Sequence, residues 1–137
     1  YVQRSSQIGL RGSLYGPEDA GITEELGMQM ISGPELHEMG VKETLRRVLE
    51  RVGTGPAYLS FDIDFVDPTF APGTGTPEVG GFTGAQSQEL LRGLAKVNFV
   101  AYDLVEVMPP YDVGGTTCLL AANLAYEMLS LIALNKR

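Results

Sequence analysis

Apolar and polar residues change rhythm several times along this chain, and each rhythm predicts an element. Between Pro34 and Val52 the apolar positions Leu36, Val41, Leu45, Val48, Leu49 and Val52 keep to helical spacing, with Lys42, Glu43, Arg46, Arg47, Glu50 and Arg51 filling the rest. That pattern is an amphipathic helix, with Ser32 placed to cap its start and Gly53 to stop it. Tyr58 to Asp64 has the other rhythm. Leu59, Phe61 and Ile63 alternate with Ser60, Asp62 and Asp64, so a strand there sends the two sets to opposite faces. Phe99 to Val107 is nearly continuous in apolar residues, the pattern of a strand covered on both faces, and it closes at Met108-Pro109-Pro110. Between these two strands Thr83 caps a second helix, with Leu90, Leu91 and Leu94 inward and Gln86, Gln88 and Arg92 outward. The N-terminal part predicts a short strand over Ser6 to Gly12, a short acidic helix from Pro17 to Leu26 closed by Gly27, and a brief strand from Met28 to Ile31. Thr116 or Thr117 opens a last helix of about twenty residues that is apolar on almost every side, as expected of one buried or packed on a neighbouring subunit.

Strands that alternate with helices predict an α/β layer fold with a parallel sheet and right-handed crossovers, in which ligands gather beyond the C-terminal strand ends. Candidate chemistry sits at those ends. Asp62 and Asp64 leave one face together just where regular structure stops, because the next 17 residues hold four glycines and three prolines. Paired carboxylate oxygens of this kind suit hard divalent cations such as Mn²⁺ or Mg²⁺, although a solvated acidic turn has the same short pattern. Glu106 closes its strand as the two aspartates close theirs, and three neighbouring carboxylates would repel one another unless cations sat among them. Asp103, three residues earlier, needs a partner of its own. Support of a metal ligand would supply one, and so would a backbone hydrogen bond at a sheet edge.

Composition narrows this picture only a little. The 137 residues suit one domain or part of one, and a formal charge of −7 argues against nucleic acid as partner and suits a cation or a cationic substrate. Cys118 is the only cysteine and lies in an apolar run, so it reads as a packing residue in a chain at home in the reducing cytoplasm. No signal-peptide pattern opens the sequence. The apolar run from Cys118 to Leu134 is interrupted by Asn123 and Glu127 and falls short of the roughly twenty residues of a membrane span, so a buried helix is expected there.

Taken in order, Ser60-Phe61-Asp62-Ile63-Asp64, Asp67-Pro68, the run from Ala71 to Gly81 and Asp103-Leu104-Val105-Glu106-Val107 resemble the arginase/agmatinase, or ureohydrolase, family. Phe70 to Gly75 and Pro109-Pro110-Tyr111-Asp112 are most similar to its agmatinase and guanidinobutyrase branch. The resemblance implies a three-layer α/β/α fold with a mainly parallel sheet, of which residues 1–137 are the C-terminal portion. It implies hydrolysis of a guanidino compound, such as agmatine or a guanidino acid, to urea and an amine, by a hydroxide held between two Mn²⁺ ions. By motif, Asp62 resembles the carboxylate that bridges both ions, Asp64 the one that holds a single ion, and Glu106 the acceptor of the substrate guanidinium, which one carboxylate can grip bidentately. Homotrimeric or homohexameric assembly is implied as well.

The family also draws metal ligands from Gly-Gly-Asp-His and Asp-x-His-x-Asp motifs, and neither occurs here. Two aspartates cannot satisfy two Mn²⁺ ions. The only histidine, His37, matches no family ligand and reads as a solvated or capping residue. With Tyr1 opening the sequence, the expectation is a fragment, inactive alone. Arg11, near the expected pocket, would favour a substrate with a carboxylate tail. Two other classes stay open: an Asp-x-Asp metal site for nucleotide-sugar transfer, which would not explain Glu106, and a non-catalytic family member kept for assembly, which has no physical reason to retain three crowded carboxylates.

Overall fold

Ser32 begins the longest amphipathic element. Its hydroxyl accepts from the Glu35 amide at 3.4 Å while the Glu35 carboxylate accepts from the Ser32 amide at 2.8 Å, a reciprocal capping box. Helix α2, Gly33–Val52, follows and stops at Gly53, whose φ of 68° ends the helix. The computed structural model describes residues 4–135. The elements around α2 are β1 (Ser6–Leu10), a 3-10 turn (Pro17–Gly21) running into the single turn α1 (Ile22–Glu25), and β2 (Gln29–Ser32) before it. After it come β3 (Pro56–Asp62), α3 (Gly84–Gly93), β4 (Asn98–Val105) and α4 (Thr116–Asn135).

The strands pair in parallel, β1 with β2 and β3 with β4, and among the described residues they form two separate two-stranded sheets. Alternating helices and parallel strands make this an α/β fold, as the sequence predicts. Two apolar clusters hold it together. Phe61, Ile63, Val66, Ala71, Leu91, Ala121, Leu124 and Met128 fill the space between β3, α3 and α4, while Ile31, Leu36, Val48, Phe82, Leu94 and Val97 fill the space under α2. Phe65 packs against both clusters, so the residues just after β3 lie at the centre of the molecule.

Several expectations need correction, each for a local reason. Helix α2 is broken at Gly40 (φ 75°, ψ 167°), and the five-residue step from Leu36 to Val41, one longer than helical spacing, marks the break. The segment from Pro17 to Leu26 is not one helix but a 3-10 turn followed by one α-turn, too short to sustain the α-helical ladder. Strand β3 ends at Asp62, and Ile63–Phe65 forms a 3-10 turn, so Asp64 does not continue the alternation. The cause is the Asp62 carboxylate, which accepts from the Asp64 amide at 3.0 Å and offers the backbone an alternative to the strand. Strand β4 is covered on one face only. Tyr102 and Leu104 pack on the core, but the register shift opposite Ala57 and Tyr58 leaves Val100 unpaired and 68% exposed.

The last helix also differs. It opens at Thr116 as expected, but its N-terminal amides are capped from outside the helix by Asp112, whose carboxylate accepts from the amides of Thr117 (2.9 Å) and Cys118 (2.7 Å). Only a stripe of α4, Thr117, Ala121, Leu124, Met128 and Leu131, is buried, whereas Leu119, Tyr126 and Leu129 are exposed. Its run Thr116–Leu134 is, by length and composition, sufficient to cross a membrane, because the helix starts ahead of Cys118. The buried stripe and the ion pair of Glu127 with Arg92 on α3 tie it to the rest of the fold instead.

Candidate functional site

One end of the β3–β4 pair collects the carboxylates. Asp62 is the last residue of β3 and lies beside Val105 in the parallel register, so Glu106, next in the chain, emerges at the same end. Asp64 follows in the 3-10 turn. The three feel one another: burial pushes the Asp62 carboxyl above its usual range, and the charges of Asp64 and Glu106 push the same way, against the Asp64 amide that lowers it. Glu106 is the only non-glycine residue with positive φ (63°) among the described residues. A left-handed backbone costs such a residue about 1–2 kcal/mol, and strain of this kind gathers where a side chain must be aimed.

The glycine-rich loop folds over this end. The Met108 amide donates to the Gly73 carbonyl (2.8 Å), the Gly73 amide donates to the buried Thr117 hydroxyl (2.8 Å), and Thr74 pairs with Val107. A Cβ on Gly73 would lie 2.5 Å from the Asp112 Cβ, which is why the loop can sit this close only with glycine there. Thr76 then reaches Asp64, its hydroxyl donating to Oδ2 at 3.0 Å. The buried Thr74 hydroxyl, by contrast, has no partner among the described residues.

Asp67 anchors the other end of the loop. Its carboxylate accepts from the amides of Thr69 (2.9 Å) and Gly81 (3.0 Å). Hydrogen bonds from Thr69, then from the Gly80–Gly81 turn, hold it down to about 2, so it stays ionised and is no proton donor near neutral pH. The Asp-Pro step was visible in the sequence, but the partner at Gly81 lies 14 residues on and carried no local signal.

Asp103, Arg11 and His37 each have identifiable contacts. Asp103 has its Oδ2 on the Tyr58 hydroxyl, which donates to it, and its Oδ1 is buried without a partner among the described residues. No hydrogen bond links it to Asp62, Asp64 or Glu106, because the register sets it beside Ser60 and diagonal to Tyr58, back from the strand end. The Arg11 guanidinium is not free to read a substrate: it donates to the carbonyls of Gly9, Asp64, Glu78 and Val79. His37 is exposed, as expected of a solvated residue, though it is not without contacts. Its ring stacks on Phe82 at 4.3 Å and its Nε2 lies 2.9 Å from the Gly80 carbonyl. Cys118 is half-buried, and the nearby Asp112 carboxylate and burial push its thiol up, which makes it a poor nucleophile.

The donors fit a divalent cation in type but not in number. Carboxylate oxygens are what Mn²⁺ takes, and a cation would relieve the crowding at Asp62. Among the described residues, however, no group of three or more His, Cys, Asp or Glu side chains is disposed to hold a metal ion. A comparison with known families matches residues 1–130 to the arginase family. The chain belongs to that family. This arginase-family chain is 51% identical over 130 residues to a guanidinopropionase of Pseudomonas aeruginosa, covering 95% of the chain and 41% of that protein. It is 47% identical over 129 residues to a guanidinobutyrase of the same organism, covering 94% and 40%. Among solved structures, that of a hypothetical agmatinase from Burkholderia thailandensis superposes with a TM-score of 0.88 at 40% identity, over 99% of the chain and 41% of that protein. The chain therefore has the arginase-like α/β fold and spans about 40% of the length of the curated relatives it matches.

Proposed function

We propose that residues 1–137 are the C-terminal portion of a single ureohydrolase domain that hydrolyses a guanidino compound to urea and an amine with two Mn²⁺ ions. The observation that supports this most is the meeting of Asp62, Asp64 and Glu106 at one strand end, under a loop that hydrogen-bonds Asp64. Asp62 would serve as a ligand common to both ions and Asp64 as a ligand of one, and histidine and aspartate ligands from the remaining length of the enzyme would complete the set. The 137 residues alone are on this account inactive. The same remaining length covers the outer face of β3 and β4, where Tyr58 (59%) and Val100 (68%) are exposed.

Manganese, when bound, supplies the Lewis acidity that makes water a nucleophile near neutral pH. Glu106 accepts paired N–H donors of the substrate guanidinium and sets its plane, and the strained backbone at φ 63° aims the carboxylate for that task. Gly75 lies beside it: a Cβ there would be 3.2 Å from Met108 Sδ and 3.7 Å from Glu106 Oε2, so the loop passes within contact distance of the carboxylate. Guanidinopropionase and guanidinobutyrase among the relatives favour a guanidino acid over agmatine, although Arg11 is not the residue that reads its carboxylate. Homotrimeric or homohexameric assembly belongs to the same proposal.

Urea release by the full-length enzyme, measured with guanidinopropionate, guanidinobutyrate, agmatine and arginine, tests this directly. Turnover of one of the guanidino acids that disappears on chelation and returns with Mn²⁺ is the expected result. Absence of urea from every substrate in the Mn²⁺-loaded enzyme would leave the non-catalytic, assembly reading in its place.

A further inference from the structure

Arg11 lies one residue beyond β1, and its half-buried side chain reaches three separate segments. Nη2 donates to the Asp64 carbonyl at 2.6 Å and to the Glu78 carbonyl at 2.8 Å, Nε donates to the Val79 carbonyl at 3.2 Å, and Nη1 donates to the Gly9 carbonyl at 3.3 Å. The fold makes room for it. A Cβ on Gly81 would lie 2.6 Å from Nη2, and one on Gly33 would lie 3.3 Å from both Cβ and Cδ of Arg11. Only a planar fork with five N–H donors can serve carbonyls in such different directions; a lysine ammonium has three donors around one point.

What this clamp holds is informative. Asp64 is gripped at both ends, its carbonyl by Arg11 and its carboxylate by Thr76, which donates to Oδ2 at 3.0 Å. Thr76 lies two residues before Glu78, the loop position that shares Nη2 with Asp64. These contacts join the Asp64 backbone to the loop that hydrogen-bonds the Asp64 carboxylate.

We propose that Arg11 is a positioning residue for the carboxylate site, holding Asp64 and the Thr76–Val79 loop in the geometry that lets Asp62 and Asp64 act together on a metal ion. The proposal rests on the reading of Asp62 and Asp64 as manganese ligands. Its test is Mn²⁺ affinity, measured by calorimetric titration of the metal-free full-length enzyme, for the unaltered protein, Arg11→Ala, Arg11→Lys and the control Arg51→Ala. Arg51 also donates to a backbone carbonyl, that of Gly27, but away from the site. Losing an outer-shell partner typically weakens metal binding about 10–100-fold, and both Arg11 variants should fall in that range while Arg51→Ala keeps the unaltered affinity. The metal-free unfolding midpoint is read alongside. A residue that merely supported the fold would lower the midpoint and leave the affinity of the folded protein where it was, and that result in the Lys variant, which retains charge and stem, would overturn the proposal. No Mn²⁺ binding by the unaltered enzyme would overturn the metal reading itself, and the role of Arg11 with it.

Discussion

Replacing Phe82 by alanine should damage both the core and the loop that frames the site. Phe82 is fully buried, stacked between His37 at 4.3 Å and Phe65 at 4.5 Å, and Phe65 meets Phe61 edge-on at 5.6 Å. Its backbone is fixed from both sides, since its carbonyl accepts from the Asp67 amide (2.9 Å) and its amide donates to the Phe65 carbonyl (3.2 Å). The surroundings therefore cannot collapse into the space left, and the cost should sit in the usual Phe→Ala range of about 3–5 kcal/mol. Phe82→Leu restores most of the buried volume but loses two ring contacts, each worth about 0.5–1.5 kcal/mol, so it should cost about 1–3 kcal/mol. Equilibrium urea denaturation of the full-length enzyme at one fixed protein concentration, followed by far-ultraviolet circular dichroism, measures both. A loss under about 1 kcal/mol for the alanine variant would refute the account of Phe82 as the rigid link between α2 and the site loop, since no well-packed phenylalanine is removed so cheaply.

Glu106→Ala should leave bound manganese unchanged while weakening the hold on the guanidinium by about 1.5–3 kcal/mol, read as a fall in kcat/KM; full activity would show the strained carboxylate to be structural only. At Asp112 burial pushes the carboxyl up, but the amides of Cys118 and Thr117 outweigh it and bring it down to about 2 from an ordinary 3.8. A carboxyl depressed in the folded state adds stability above its unfolded value and loses it as pH falls through the folded one. Acid unfolding followed between pH 4 and 2 should therefore contain a component that Asp112→Asn removes, and an identical acid profile for the variant would count against this cap. Ser32→Ala should cost about 1 kcal/mol by urea denaturation, the usual price of a lost N-cap, and no change would mean the Glu35 carboxylate holds the helix start unaided.

Local signals were legible and distant ones were not. The caps at Ser32 and Thr83 and the buried leucines of α3 followed from spacing, because helix periods act over a few residues. The break at Gly40 also had a signal, in the five-residue step that precedes Val41, but helical spacing elsewhere in α2 masks it. Asp64 was assigned to the strand because alternation says nothing about a carboxylate that captures an amide two residues on. Arg11 and Asp112 show a different limit. The carbonyls that take up Arg11 lie up to 68 residues away, and the Asp112 cap stands apart from the helix it starts, so their roles appear only once the chain is folded. The exposed outer face of β4 belongs to the same class, for a continuous apolar run states that a face wants covering and not what covers it.

The central claim is that Asp62 and Asp64 hold manganese in a site completed by the rest of the enzyme. Its most direct measurement is anomalous diffraction at the manganese edge from crystals of the full-length enzyme, paired with metal analysis of Asp62→Asn. Two manganese peaks beside Asp62, with Asp64 on one of them and both lost or halved in the variant, is the expected result. Manganese bound elsewhere, or an unchanged metal content in Asp62→Asn, would contradict it.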